Sequence, residues 1–136
     1  MDNGSMMTEE RLMDEAKGVL HNAYSPYSGI KVGAALLTSS GNIHTGVNVE
    51  NASFGATICA ERVALAKAVT EGESNFEAIA IASNTEEIVP CGICRQVLAE
   101  FNEDIKLILQ AKNGEITVER LCEVYKDPFL NTFFDK

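Results

Sequence analysis

Nothing in this 136-residue chain approaches the roughly 20 consecutive apolar residues that a membrane-spanning helix needs, which argues against a membrane partner. The first ten residues, MDNGSMMTEE, lack both the basic start and the apolar run of a secretory signal. Basic residues are scarce as well: eleven Lys and Arg face twenty Asp and Glu, for a net charge of −9, and no run of them occurs. A protein that grips phosphate backbones carries a basic stripe, so no nucleic-acid partner is expected and a small uncharged substrate suits the balance better. Repeats, linkers and low-complexity segments are also missing. The expectation is a single domain over 8–136 after a disordered lead-in at 1–7, partly foreign to the chain, with the native start at Met6 or Met7. A chain of this length can bury a core without disulfides. The expected location is cytoplasmic, a reducing compartment where spaced cysteines bind metal or catalyse more often than they pair.

What is present reads as an α/β protein. Thr8 can cap a helix reaching Tyr24, with Leu12, Met13, Ala16, Val19, Leu20 and Ala23 as its apolar stripe. Residues 32–38 and 43–49 around Ser39-Ser40-Gly41-Asn42 read as a hairpin, followed by a polar, site-lining loop at 48–58. A helix over 59–70, a strand over 76–83, a helix over 91–101 and a strand over 105–110 come next. Asn113-Gly114 marks a tight turn into 116–118, and an amphipathic segment closes at 118–125. Alternating strands and helices imply right-handed crossovers with parallel pairing in the middle, joined to the antiparallel hairpin. The fold class is therefore a mixed sheet with helices on its faces.

Two short strings carry the chemistry: Cys59-Ala60-Glu61, and Pro90-Cys91-Gly92-Ile93-Cys94. Cys59 and Cys91 each begin a predicted helix, where free N–H groups and the dipole favour a thiolate. Cys91 and Cys94, at i and i+3, share a helix face and can reach one ion together. Three protein ligands leave the fourth tetrahedral position of Zn²⁺ open for water, the arrangement of a catalytic site. Glu61 is close enough to move protons there without ligating. The order C-x-E followed by P-C-x-x-C is the signature of zinc-dependent nucleobase deaminases.

Three thiolates leave the cluster with net −1, so something must offset the charge. The helix termini are one source, and Arg62 and Arg95 are candidate donors to the sulfurs; the blander alternative is ordinary surface or interface ion pairs. Glu61 could likewise be a solvated helix-start glutamate. A closed four-cysteine site including Cys122 is a further alternative, although Cys122 lies with Val118, Leu121 and Tyr125 at helical spacing, which suits a buried apolar role. His21 and His44 stand alone without ligand spacing.

With these residues in view, the chain resembles the small homotetrameric cytidine deaminases over AYSPYS, VGAALLT, TGVNVENASFG, TICAERVALAKAV and PCGICRQVLAEF. The resemblance covers about 24–101, over half the chain. It implies a three-layer α/β/α fold with a mixed, roughly five-stranded sheet. It also implies hydrolysis of cytidine or deoxycytidine to uridine or deoxyuridine plus ammonia, in pyrimidine salvage. Cys59, Cys91 and Cys94 match the ligands of one zinc per chain and Glu61 the proton shuttle. Asn48 and Glu50 match the pair that binds the ribose hydroxyls, and the Ala60 backbone a group that contacts the base. The implied assembly is a homotetramer with sites near subunit interfaces.

Departures from the family fall at the substrate end. Ile30 and Lys31 stand where the family has Phe-Pro, so a ring face on the pyrimidine is lost. Phe54 replaces a frequent Tyr. Phe129, Phe133 and Phe134 are stand-ins for a C-terminal Phe that reaches a neighbouring site. The leading expectation is a nucleoside deaminase acting on cytidine or deoxycytidine. The alternative is one acting on a modified cytosine nucleoside, such as a blasticidin-type antibiotic. Editing of RNA or DNA lacks the basic surface it needs, and a non-catalytic zinc-stabilised module would have no use for Glu61.

Overall fold

The computed structural model describes residues 2–134, with side chains described from Thr8 onward except that of Phe133. Five strands form one sheet in the order β2-β1-β3-β4-β5. These are β1 (Val32–Thr38), β2 (Ile43–Val47), β3 (Phe76–Ser83), β4 (Lys106–Gln110) and β5 (Ile116–Arg120). The helices are α1 (Asp2–Gly18), α2 (Ala60–Thr70), α3 (Gly92–Phe101) and the one-turn α4 (Leu121–Val124). The mixed α/β/α sheet expected from the sequence is the fold observed.

Side chains alternate across a strand, and β3 uses the alternation to build two unlike faces. Ile79 and Ile81 point into a cluster with Ala60, Ala64, Leu65 and Ala68 of α2 and Leu98 and Ala99 of α3. Ala78, Ala80 and Ala82 face the other way, where their small size lets Leu12, Met13 and Ala16 of α1 lie close. Each large aliphatic side chain buried this way stabilises the fold by about 1.5–3 kcal/mol. Two glycines set how near the helices come. A Cβ on Gly33 would collide with the Ala16 carbonyl, and one on Gly46 would meet the Ala64 nitrogen at 2.5 Å and the Ala60 oxygen at 2.6 Å. The second contact seats the start of α2, with the first motif on it, against β2.

Several expectations shift. Helix α1 begins at Asp2, so residues 2–7, expected as a disordered lead-in, continue its turns; Met1 lies outside the described residues. The helix also stops early, at Gly18, a poor helix former, and a 3₁₀ turn over Leu20–Asn22 follows. Only β3 and β4 pair in parallel; β1–β2, β1–β3 and β4–β5 are antiparallel. The reason is that β1 lies between β2 and β3, so the α2 crossover does not join neighbouring strands. Asn113 and Gly114, at φ 62 and 74, do make the turn between β4 and β5. The segment after it is a strand as far as Arg120, with a single helical turn beyond.

Candidate metal centre and active site

Cys59 and Cys91 are the N-caps of α2 and α3, both extended, at φ −73, ψ 152 and φ −70, ψ 168. Each therefore presents its thiol beside unpaired N–H groups of a first helical turn. Cys94, one turn into α3, is fully buried. The three sulfurs lie within 4.8 Å of one another, and those of Cys59 and Cys91 are 3.7 Å apart. A regular zinc tetrahedron with Zn–S bonds of about 2.3 Å has sulfurs about 3.8 Å apart, so the donor set and its spacing fit zinc. Cys122 is not part of it. It is exposed and its thiol donates to Asp104 Oδ1 at 3.1 Å, which rules out both the closed four-cysteine site and the buried role suggested by its spacing. The expected helix is a strand as far as Arg120, and Cys122 lies on the one-turn α4 beyond it, exposed, while Leu121 is the buried residue of that turn.

The thiols are unequal. The Cys94 thiol donates toward Cys59, and with help from Arg62 and Cys91 this pulls the Cys59 thiol down to about 5. The same bond, with burial and the nearby acids, pushes Cys94 upward. Arg62 Nη2 stands 3.7 Å from the Cys59 sulfur and 3.3 Å from the Thr57 carbonyl, the placement expected of a charge-offsetting partner. Arg95 behaves otherwise. Its guanidinium bonds the Pro90 and Val124 carbonyls and no sulfur. Being on α3 immediately after Cys94, it leaves the helix on a different side from the thiol.

Glu61 is 4% exposed, in the first turn of α2. Burial pushes its carboxyl up to about 7, and the negative Cys59 adds to the rise. It shares the wall of a cavity of about 150 Å³ with Cys59, Cys91, Ala60, Asn48 and Val32. The Ala60 N–H, at the first helical position, has no intrahelical acceptor by geometry. A larger cavity, about 480 Å³, lies between α1 and the sheet beside the Glu9–Lys106 ion pair, and none of the thiols line it.

Asn48 and Glu50 stand on the chain that links β2 to this cavity. That segment is held between Tyr24 and Ile58 by backbone bonds from Tyr24 N–H to Asn48, Glu50 N–H to Tyr24, and Val49 with Ile58 in both directions. The Asn48 carboxamide, largely buried, donates to the Ile30 carbonyl at 2.8 Å and accepts from the Val32 N–H at 2.9 Å. The Glu50 carboxylate accepts from the N–H groups of Tyr27 at 2.9 Å and Ser28 at 3.1 Å and from the Ser28 hydroxyl. The Ser28 hydroxyl, followed by the two backbone donors, holds it below the usual carboxylate range. Both residues thus shape the 27–32 loop. Glu50 faces a neighbouring depression of about 380 Å³ with Tyr27, Ser28, Phe54 and Thr57, and Thr57 belongs to both hollows.

Ile30 is 42% exposed and lines neither hollow, whereas Phe54 is 74% exposed and meets Tyr27 edge-to-face at 5.8 Å. Phe129 and Phe134 are exposed and pack on each other at 5.6 Å; the Phe133 side chain lies outside the described residues. Sequence reasoning missed Asn84, which makes three bonds to the loop: Oδ1 accepts from Lys31 N–H, Nδ2 donates to Gly29, and its own N–H donates to Lys31. An asparagine directly after a strand was the available signal. It also missed Ile88 and Val89 in the cavity wall, because they precede the motif in an irregular segment.

A closed ring of three thiols with a buried carboxylate beside it, at the helix-start edge of an α/β/α sheet, is the architecture of a metal-dependent hydrolase. Residues 6–110 match the cytidine and deoxycytidylate deaminase zinc-binding region, and the chain belongs to that family. A Sporosarcina psychrophila cytidine deaminase is 46% identical over 125 residues, covering 90% of this chain and 92% of that protein. A Dictyostelium discoideum protein named "Probable cytidine deaminase" is 52% identical over 96 residues, 69% of this chain and 65% of that longer relative. The crystal structure of cytidine deaminase from Burkholderia pseudomallei superposes with a TM-score of 0.83 at 41% identity, covering 88% of this chain and 98% of that one.

Proposed function

We propose that the chain hydrolyses cytidine and deoxycytidine to uridine and deoxyuridine, releasing ammonia. The observation that carries the reading is Glu61, buried in the wall of the cavity that Cys59 and Cys91 also line, with the Cys94 sulfur within 4.8 Å of both. The named relatives, two of them matched over most of their length, support the substrate class.

Cys59, Cys91 and Cys94 would hold the ion. Zinc, when bound, supplies the Lewis acidity that makes water a competent nucleophile near neutral pH. Glu61 takes the proton that water gives up as its oxygen bonds to C4 of the base, and passes it to N3. It then carries the second proton to the exocyclic nitrogen as the C4–N bond breaks and ammonia leaves. The Ala60 N–H, free of helical bonding, donates to the base. Asn48 keeps one amide hydrogen and Glu50 keeps lone pairs beyond those used on the loop, so both can still bind ribose hydroxyls. Arg62 offsets the thiolate charge.

Ile58 and Val89 of the thiol cavity and Tyr27 and Phe54 of the neighbouring hollow are exposed, as are Tyr24 and Ile93, and this uncovered apolar surface supports a homotetramer with sites near its interfaces. Phe129, docked on α3, is our choice for the ring that reaches a neighbour. A thiolate centre suits a reducing, cytoplasmic setting. Among the described residues no helix is long and apolar enough to cross a membrane.

The test is cytidine turnover by zinc-loaded protein, followed by loss of ultraviolet absorbance and by ammonia. Stoichiometric uridine and ammonia are expected. Bound zinc with no conversion of cytidine or deoxycytidine would overturn the reading.

A further inference from the structure

The three thiols are not equally secured. Cys94 is fixed by burial inside α3 and Cys59 caps α2 against the sheet, but Cys91 is exposed and ends a segment, 84–91, without regular structure. What holds that end is Arg95. It donates from Nε to the Pro90 carbonyl at 2.9 Å and from Nη1 to the Val124 carbonyl at 2.8 Å. The Pro90 carbonyl belongs to the peptide that leads into Cys91, so its direction sets where the Cys91 thiol leaves the turn. One guanidinium fork therefore ties the ligand's own peptide to the end of α4.

The next residue completes the tie. Gln96 Nε2 donates to the Phe129 carbonyl at 2.6 Å, and its Oε1 accepts from the Tyr125 hydroxyl and from the Phe129 N–H at 3.4 Å. Every hydrogen-bonding atom of two consecutive side chains, except Arg95 Nη2, thus goes to the turn before Cys91 or to the segment 124–129.

We infer that Arg95, Gln96 and Tyr125 are positioning residues for Cys91: docking of segment 124–129 on α3 holds the third thiol in ligating register, so metal retention depends on the C-terminal segment. The inference rests on the zinc reading above. It assigns the segment a task inside its own subunit, whatever its aromatic rings do elsewhere.

The test uses the full-length, zinc-loaded protein and three variants, Arg95→Lys, Gln96→Ala and Tyr125→Phe. Zinc release to excess chelator is timed with a colorimetric indicator, and amide exchange is read over 88–92 and 124–130. Partners that orient metal ligands typically matter by 10–100-fold in affinity, so release about tenfold faster is expected for Arg95→Lys and Gln96→Ala, with faster exchange at both segments. Lysine keeps the charge but cannot fork between two carbonyls. Tyr125→Phe removes one hydroxyl, should move release in the same direction, and carries the test if the others fail to fold. Faster exchange at 124–130 with wild-type zinc release would overturn the inference, as would wild-type release from Arg95→Lys. A wild-type protein that binds no zinc would instead bring down the proposed function and this inference with it, a result distinct from equal release rates.

Discussion

The Arg62 guanidinium stands 3.7 Å from the Cys59 sulfur and anchors itself 3.3 Å from the Thr57 carbonyl with the same nitrogen. The cation is thereby held beside the thiol that caps α2. Replacing it by glutamine leaves the shape and removes the charge. Arg62→Gln is expected to weaken zinc binding about tenfold, checked by competition with a chelator of known affinity.

Gly46 has no room for a side chain against the start of α2, with a Cβ meeting backbone at 2.5 and 2.6 Å. Neither atom is the end of a flexible side chain, so the helix must move. Gly46→Ala should destabilise the fold by about 1–3 kcal/mol, the usual cost of overpacking, and displace Cys59 and Glu61 together. Denaturant unfolding gives the first effect; zinc content and turnover give the second.

Glu73 joins the end of α2 to the β1–β2 turn. Its carboxylate meets His44 Nε2 at 2.7 Å, accepts from Asn42 Nδ2 at 3.1 Å and takes the Ser40 hydroxyl. The His44 bond first, then those from Ser40 and Thr38, hold it at about 2, below its ordinary 4.5. A depressed carboxyl stabilises the fold above its unfolded value, and that contribution fades as pH falls from about 4.5 toward 2. The difference in unfolding free energy between wild type and Glu73→Gln should therefore be larger at pH 6 than at pH 3. An equal difference at both would show that the charge is not what Glu73 contributes.

Asn84 clamps the loop that also receives Asn48, through bonds of 3.0, 2.9 and 3.1 Å to Lys31 and Gly29. Asn84→Ala removes the two side-chain bonds, worth about 0.5–1.5 kcal/mol each. Tyr27 and Ser28 of this loop line the hollow containing Glu50, and the two residues that Asn84 holds, Gly29 and Lys31, do not line the cavity of the thiols. KM for cytidine should rise with little change in kcat or zinc content, which steady-state kinetics and metal analysis separate.

The metal centre was legible because its geometry is local. Cys91 and Cys94 are one helical turn apart, Cys59 and Cys91 start helices, and Glu61 follows its cysteine by two, so short-range rules already bring these groups together. The unlike faces of β3 could be seen in its alternating Ile and Ala. Strand order could not, since inserting β1 between β2 and β3 is a long-range choice that leaves no trace in either strand's own pattern. Cys122 was misread for a related reason: residues 118–125 fit helical spacing, yet pairing of β5 with β4 overrides that preference through Arg120. The bonds of Arg95 and Gln96 to Val124 and Phe129 span about thirty residues and follow no periodicity, so the sequence could not disclose them.

The central claim is that Glu61 moves the protons at a three-thiolate zinc centre, and Glu61→Gln tests it most directly. The variant should bind one zinc per chain and melt like wild type. Its cytidine turnover should fall by at least about 10²-fold, the lower range for loss of a general acid–base group. Zinc-loaded Glu61→Gln that deaminates cytidine at close to the wild-type rate would contradict the account.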